Sequence, residues 1–197
     1  MAHYYSEKQD SELNLREIEV RVKQKVFKMH TANGIFSKNR LDNGTKLLIE
    51  KAEIGEKNQV LDFGCGIGVV GIVVKSIYPE TKVIMSDINE RAVELSMKNV
   101  KKFNLDNQVI KSNLYDKIKT KFDTILVNPP QTAGKLVCFS IIEGAFSHLN
   151  KTGTLQLVAR HKKGGQTLSK KMEEVFGNVM DLAKGSGYRI YLSKKTI

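Results

Sequence analysis

Three glycines stand close together where one short apolar segment gives way to another. Residues 60–71 read VLDFGCGIGVVG, with Gly64, Gly66 and Gly68 at the junction. Glycine tolerates the positive φ values of a tight turn and leaves the backbone open to a ligand. Asp87 follows about 20 residues later, the distance typical of a carboxylate that binds ribose hydroxyls. The spacing predicts a nucleotide-type site built from a strand, a glycine turn and a helix, and a glycine turn without a ligand is the alternative.

Asp62 precedes the first glycine and restricts the class of cofactor that the loop can bind. The N-terminus of a helix favours anions, and a nicotinamide cofactor would place its pyrophosphate there. The Asp62 carboxylate would repel a pyrophosphate, but it suits a ligand with a cationic amino group. S-adenosylmethionine carries such a group, together with a ribose for Asp87 and an adenine. The loop therefore favours this sulfonium cofactor over a nicotinamide.

The sequence Asn128-Pro129-Pro130 follows an apolar segment and carries groups suited to an exocyclic amine. Such an amine is a poor nucleophile because its lone pair is delocalised into the ring. The side-chain oxygen of Asn128 and the main-chain carbonyl of Pro129 could each accept one amine hydrogen and so direct the lone pair at an activated methyl. The prolines fix the backbone and offer no competing N–H. We predict that all three residues are catalytic, and an ordinary strand-ending turn is the alternative.

Basic residues are concentrated near the expected site. Residues 160–171 (RHKKGGQTLSKK) contain five Lys or Arg and no acid, and the whole chain has a formal net charge of +11. A basic rim beside a cofactor pocket suits a polyanion, so we predict RNA as the partner, with the target base unstacked or in a loop. Solvated surface lysines are the alternative. The predicted substrate-binding basic residues are Lys135, Arg160, Lys162 and Lys163. Further basic residues of the N-terminal region are Arg21, Lys23, Lys25 and Lys28.

From residue 59 onward, short apolar segments alternate with longer, mostly amphipathic ones, which is typical of a parallel sheet covered by helices. Strands are predicted over 59–63, 82–86, 108–110, 122–127, 154–159, 178–182 and 188–192. Helices are predicted over 69–77, 90–103, 135–149 and 166–176. The carboxyl ends of such strands are where open α/β sheets bind their ligands.

The N-terminal region follows a different pattern. Apolar and basic residues alternate over 18–29, which predicts a pair of strands with one solvated face. Asn33-Gly34 marks a turn, and a helix opened by an Asp or Asn cap is predicted over 42–52. No linker follows it. We therefore expect an N-terminal appendage (1–55) packed on the same domain as the main unit (56–197).

Length and composition exclude several classes of protein. The 197 residues include 41% hydrophobic residues and only three prolines, which favours a compact globular chain. No apolar run approaches the ~18 residues of a membrane span, and the first ten residues do not resemble a signal peptide. Two cysteines and four scattered histidines offer neither a disulfide framework nor a zinc site. We expect a cytoplasmic protein that binds no metal.

These motifs together resemble those of class I S-adenosylmethionine-dependent methyltransferases. The matching segments are DFGCGIG (62–68), SDIN (86–89), SNLY (112–115) and NPP (128–130). Two upstream segments, GIFS (34–37) and LDNGT (41–45), are more restrictive. They resemble the RsmC-like small-subunit rRNA guanine-N2 methyltransferases, especially their single-domain archaeal form. The resemblance implies a Rossmann-like α/β fold with a seven-stranded sheet, mostly parallel with an antiparallel last strand, and helices on both faces.

The resemblance also implies roles for the cofactor-binding residues. The amino acid end of S-adenosylmethionine would lie by Asp62, Gly64 and Gly66, and Gly68 is a further predicted cofactor-binding residue of this loop. Asp87 would bind the ribose and Ile88 would pack on the adenine. At residue 113 the family usually has aspartate; here Asn113 would accept from the adenine amine through its amide oxygen.

One position departs from related enzymes. Those that act on adenine or protein glutamine commonly have an aromatic residue after the two prolines, where this chain has Gln131. Phe36 is the predicted substitute that stacks on the target base, and a core phenylalanine is the alternative. The predicted function is methylation of an exocyclic amine of RNA, with guanine N2 of small-subunit rRNA as first choice. The alternatives are methylation of protein glutamine-N5 or adenine-N6, a non-catalytic RNA-binding assembly factor and, more remotely, a nicotinamide oxidoreductase.

Overall fold

The computed structural model describes Glu7 and residues 12–35, 41–130 and 133–197. Within these residues the chain forms nine strands and five helices. The strands are β1 (Arg16–Val22), β2 (Lys25–Thr31), β3 (Gln59–Phe63), β4 (Lys82–Asp87), β5 (Gln108–Lys111), β6 (Phe122–Val127), β7 (Leu149–Arg160), β8 (Met180–Gly185) and β9 (Tyr188–Lys194). The helices are α1 (Asn43–Lys51), α2 (Val69–Ile77), α3 (Glu90–Lys102), α4 (Lys135–His148) and α5 (Gln166–Phe176).

Seven strands form one sheet in the order β5-β4-β3-β6-β7-β9-β8. Strands β3 to β7 pair in parallel, whereas β9 is antiparallel to both β7 and β8. The prediction of a mostly parallel sheet with an antiparallel last strand is therefore confirmed. Because β3 lies between β4 and β6, the strand order reverses at β3, and open α/β sheets bind ligands at the carboxyl ends next to such a reversal.

Helices cover both faces of the sheet because its central strands are apolar on both sides. In β3, Val60 packs in a core that includes residues of α1, α2 and α3, whereas its neighbour Leu61 packs in a second core with α4 and α5. Successive side chains of a strand point to opposite faces, so a continuous apolar run supplies two cores. The predicted arrangement of helices on both faces is confirmed.

The N-terminal segment forms an antiparallel hairpin, as predicted, from β1 and β2. Its buried residues alternate with exposed ones along each strand, which gives the hairpin one solvated face. The buried side chains, including Val20 and Met29, belong to the same core as α2 and α3. The two-residue turn falls at Lys23 and Gln24, both with positive φ.

Two strands begin elsewhere than predicted. Strand β7 starts at Leu149, directly after α4, since Leu149 is already extended and pairs with Phe122. The predicted start at residue 154 was wrong because polar residues 150–152 obscure the earlier part of the strand. Strand β8 spans Met180–Gly185 instead of 178–182, since the Asn178 side chain bonds the backbone of Lys194 outside the ladder. No helix within the described ranges has the length and apolar character needed to cross a bilayer.

Candidate functional site

A cavity of about 770 Å³ opens at the carboxyl ends of β3, β4 and β6. Its walls are formed by loops that the sequence places far apart, because parallel strands bring their carboxyl ends to one edge of the sheet. The predicted site residues in its wall are Asp62, Gly64, Gly66, Asp87, Ile88, Asn113, Asn128, Pro129, Pro130, Arg160 and Lys163. The structure therefore brings the glycine loop and the Asn-Pro-Pro segment to a single cavity.

Gly64 and Gly66 keep one wall of this cavity bare. Both have positive φ, +71° and +57°, and a Cβ at either position would meet no atom within 4 Å. The backbone N–H groups of Gly64 and Cys65 donate to the carbonyl of Ser86 at 2.8 and 2.9 Å, which ties the loop to the end of β4. A side chain here would be strained and would occupy the open space that a cofactor needs.

Gly68 has a different task. It is the N-cap of α2, with φ +89°, and a Cβ on it would lie 2.5 Å from Cε of Met85. A glycine at this position lets α2 pack closely on β4. The structure gives Gly68 this packing role and does not place it in the described wall of the cavity.

The Asp62 carboxylate is buried beneath the glycine loop and lines the cavity. Its Oδ2 accepts a hydrogen bond of 2.8 Å from the Gly71 N–H, and so it satisfies a free donor in the first turn of α2. Burial raises the pKa of Asp62 to about 7, with a further contribution from the Asp87 carboxylate, and the Gly71 hydrogen bond opposes this rise. A cationic group bound in the cavity would stabilise the charged form of Asp62.

Asp87, at the end of β4, organises the adjoining loop. Its Oδ2 accepts from the Gly66 N–H and its Oδ1 from the Asn89 N–H, both at 2.9 Å. Burial raises the pKa of Asp87 to about 6, although these hydrogen bonds oppose the rise. A carboxylate oxygen accepts more than one hydrogen bond, so Asp87 retains the capacity to bind two neighbouring hydroxyls.

The raised pKa of Asp62 predicts a pH-dependent effect on stability. The unfolded chain loses this proton near the ordinary pKa of 3.8, whereas the folded protein holds it until about pH 7. The stabilisation from protonated Asp62 is therefore complete below pH 4 and is lost as the pH rises towards 7. In the ligand-free protein, Asp62→Asn should gain stability relative to the wild type over this range, by at most about 1.4 kcal/mol per pH unit.

Urea denaturation of the ligand-free wild type and Asp62→Asn at several pH values between 4 and 8 measures this difference. The free energies of unfolding should diverge with increasing pH. A constant difference across the range would contradict the burial argument.

The Asp62→Asn variant should also bind the cofactor less tightly than the wild type, because it lacks the charge that faces the cavity.

Asn128 is held by α1. Its Nδ2 donates to Thr45 Oγ1 at 2.9 Å and to Asp42 Oδ2 at 3.2 Å. Both amide hydrogens are thus directed at α1, and the amide oxygen is the polar atom that this geometry leaves for a ligand. Pro129 and Pro130 continue the cavity wall beside it.

The predicted basic residues divide into two groups. Arg160 and Lys163 reach the cavity wall, and Nε of Arg160 donates to the Tyr188 hydroxyl at 3.0 Å. Lys162 is exposed on the turn 161–165, and Lys135 is exposed at the start of α4 with its Nζ 5.0 Å from the centre of the Phe139 ring. Neither Lys162 nor Lys135 contributes to the described wall of the cavity. Phe36 and Gln131 lie outside the described residues.

Asp42, Thr45 and Tyr188 are polar residues of the wall to which the sequence analysis gave no site role. Asp42 and Thr45 belong to the LDNGT segment, which carried part of the family resemblance without a stated role. An Asp or Asn was predicted to cap this helix, and in the structure the cap is Asp42, which accepts from the Thr45 N–H at 3.0 Å. Tyr188 is far away in the sequence and offered no signal.

Comparison with known proteins identifies related chains. The sequence model of the methyltransferase small domain matches residues 26–192. The uncharacterised protein YbxB of Bacillus subtilis is 37% identical over 197 residues, which cover 98% of each chain. The ribosomal RNA small subunit methyltransferase C of Aliivibrio fischeri is 32% identical over 184 residues, which cover 91% of this chain and 53% of the relative.

A solved structure shows the same fold. A 16S rRNA N2 methyltransferase (RsmC) of T. thermophilus, in complex with AdoMet and guanosine, superposes with a TM-score of 0.81 at 23% identity. The match covers 94% of this chain and 51% of the other. This chain therefore spans about half the length of these methyltransferases and 98% of the length of YbxB.

Proposed function

The chain belongs to the methyltransferase small domain family of class I S-adenosylmethionine-dependent methyltransferases, and on this basis we propose that it methylates the N2 amine of guanine in small-subunit rRNA. One observation carries the proposal: the glycine loop, Asp87 and Asn128 line the same cavity. A bound cofactor and the group that would orient a nucleophile can therefore meet there.

The residues of the cavity suit the cofactor. The bare backbone at Gly64 and Gly66 provides space for it, and Asp87 offers carboxylate oxygens to the ribose hydroxyls. Asp62 would hold the cationic amino group, and Ile88 and Asn113 would hold the adenine. When bound, S-adenosylmethionine supplies a methyl group already activated by its sulfonium centre, so the protein contributes mainly position and electrostatics.

Asn128 and Pro129 act on the amine. The Asn128 oxygen accepts one amine hydrogen and the Pro129 carbonyl accepts the other, which turns the nitrogen lone pair out of conjugation with the ring. Both acceptors are fixed, because the Asn128 amide is tied to α1 and Pro129 has a restricted φ. Preorganised acceptors of this kind stabilise the positive charge that develops on nitrogen. Pro130 keeps the segment rigid.

RNA is the proposed partner because basic residues lie in the cavity wall and on the exposed surface. Arg160 and Lys163 lie in its wall, and Lys135 and Lys162 extend the positive surface outward. A guanine paired within a helix cannot reach the cavity, so the target base must be unstacked. Phe36 remains our candidate for stacking on it. A ribosomal substrate also supports a cytoplasmic location.

We further propose that residues 1–55 form an appendage that serves the domain of residues 56–197. The hairpin shares a core with α2 and α3, and α1 supplies the contacts to Asn128. The appendage thus supports the site as well as the fold.

Methyl transfer with labelled S-adenosylmethionine tests the proposed substrate. The assay compares small ribosomal subunits, naked 16S rRNA, DNA and a release-factor-like protein, and the nucleosides are identified by mass spectrometry. We expect label in RNA as N2-methylguanosine. Label in N6-methyladenosine or only in protein glutamine would support the other exocyclic amine substrates instead, and RNA binding without any transfer would support an assembly factor.

Charge reversal on the 161–165 turn should weaken RNA binding selectively. The double variant Lys162→Glu/Lys163→Glu replaces two cations beside the cavity with anions, and we expect the KM for RNA to rise roughly tenfold or more, with a shallower salt dependence. The Kd for the cofactor should not change. The matched control, Lys121→Glu/Lys151→Glu, reverses two exposed lysines at the opposite edge of the sheet. An equal effect of both double variants would show that only total charge matters.

A further inference from the structure

We infer that Asp42 is a positioning residue that sets the orientation of the Asn128 amide, with Thr45 and Tyr188 as its partners. This role rests on the proposed function, in which the Asn128 oxygen accepts from the substrate amine. The inference also gives a task to the LDNGT segment, which the cofactor and RNA sites leave unexplained.

The contacts form a network of hydrogen bonds that converges on Asp42. Nε of Arg160 donates to the Tyr188 hydroxyl at 3.0 Å, and this hydroxyl donates to Asp42 Oδ1 at 3.0 Å. Asp42 Oδ2 accepts from the Thr45 N–H at 3.0 Å and from Asn128 Nδ2 at 3.2 Å. Because the arginine nitrogen can only donate, the tyrosine hydroxyl proton is available for Asp42.

The acceptor oxygen of Asp42 determines which end of the Asn128 amide faces the cavity. The two ends of an amide are nearly the same size, so packing alone does not distinguish them. A carboxylate oxygen only accepts, and it therefore attracts the amide nitrogen and repels the amide oxygen. Thr45 Oγ1 takes the second amide hydrogen at 2.9 Å. The flipped amide would present N–H groups to a substrate amine and could not accept from it.

Steric contacts explain why the residue between Asp42 and Thr45 that faces Tyr188, Gly44, is a glycine. A Cβ at Gly44 would lie 2.7 Å from Cε1 of Tyr188 and 2.9 Å from Asp42 Oδ2. Glycine therefore allows the tyrosine ring to approach α1 and hydrogen-bond to the carboxylate. In the LDNGT segment, Asp42 directs the amide, Gly44 admits Tyr188, and Thr45 completes the donor set of Asn128.

A pair of substitutions at residue 42 separates orientation from helix capping. Asp42→Ser keeps a good N-cap for α1, but its short side chain cannot reach Asn128 and Tyr188 together. Asp42→Asn keeps the N-cap, and its side chain is long enough to contact both Asn128 and Tyr188. We expect Asp42→Ser to lower kcat roughly 10- to 100-fold, by analogy with groups that orient metal ligands. Asp42→Asn should restore most of this loss, and the cofactor Kd and Tm should stay near the wild-type values in both.

A second pair of substitutions, at Thr45, tests the other acceptor of the Asn128 amide and leaves the N-cap of α1 unchanged. Thr45→Val removes the hydroxyl at nearly constant volume and should lower kcat, whereas Thr45→Ser should recover most of it. Wild-type kcat in Asp42→Ser and Thr45→Val would overturn the inference. Equal losses in Asp42→Ser and Asp42→Asn would overturn it as well, since negative charge rather than amide orientation would then matter.

High-resolution crystal structures of the residue-42 variants give a readout that does not depend on a substrate. Nδ2 of Asn128 should remain on Thr45 in Asp42→Asn and leave it in Asp42→Ser. An unchanged amide in Asp42→Ser would refute the positioning role even if the proposed substrate proves wrong. Conversely, a wild type that methylates no RNA would refute the proposed function without affecting this structural test.

Discussion

Asn128→Ala should reduce methyl transfer by at least roughly 100- to 1,000-fold while the cofactor still binds. The substitution removes an acceptor whose position is fixed by two hydrogen bonds to α1. Without this acceptor the amine keeps its lone pair in conjugation with the ring. The loss should therefore appear in kcat measured at saturating cofactor and RNA.

Single-turnover kinetics together with calorimetry using S-adenosylhomocysteine distinguish this result from a general defect. The Kd of Asn128→Ala should lie within about threefold of the wild type, and its Tm should change little, because Asn128 belongs to the cavity wall rather than to either core. A variant that keeps more than a tenth of the wild-type kcat would exclude Asn128 as the orienting group.

Asp87→Ala should weaken cofactor binding roughly 100-fold or more, because charge-assisted hydrogen bonds are worth about 1.5–3 kcal/mol each. The substitution removes the acceptor for the ribose hydroxyls and also releases the Gly66 and Asn89 N–H groups that shape the loop. Calorimetry measures the Kd directly. Unchanged affinity in this variant would place the ribose elsewhere.

The pH dependence of cofactor binding by the wild type provides a further test of the role of Asp87. Burial raises the pKa of Asp87 to about 6, so the carboxyl group of the ligand-free protein becomes protonated below that pH and loses acceptor capacity. Cofactor affinity should therefore fall as the pH drops from 7 to 5. Asp87→Asn does not titrate and should show a weaker pH dependence than the wild type.

Much of the fold followed from local signals. The bounds of β3, α2, β6 and α5 match the predicted ones, because each of these elements ends at a glycine, a proline or a change of hydrophobic period. The predicted Asp or Asn cap of α1 is also confirmed, and the residue is Asp42. Such signals depend on a few neighbouring residues and are therefore readable from sequence alone.

Other features depend on contacts that sequence does not reveal. The hairpin turn falls on Lys23 and Gln24, residue types that give no turn signal, and the early part of β7 is recognisable only through its pairing with β6. Gly68 looked like its neighbours in the glycine loop, yet its neighbour in space is Met85. The spacing of glycines predicted a turn but could not tell which of them meets the cavity.

The sequence analysis predicted individual residues of the candidate site but not the hydrogen bonds between them. Asp87 and Asn128 were identified from motifs, whereas the support of Asn128 by Asp42 joins residues 86 positions apart in the sequence. Tyr188 lies 146 positions from Asp42, and only the antiparallel strand β9 brings it there. For Arg160 only a contact with RNA was predicted, and the structure also shows its hydrogen bond to Tyr188.

A crystal structure of the complex with S-adenosylhomocysteine tests the central claim most directly. We predict that the ribose hydroxyls bind the Asp87 carboxylate, that the glycine loop lies along the ligand, and that the sulfur faces the side of the cavity where the Asn128 oxygen is exposed. Ligand density at another site, or an Asn128 amide on the far side of the protein from the sulfur, would contradict the proposal that this cavity transfers a methyl group to an exocyclic amine.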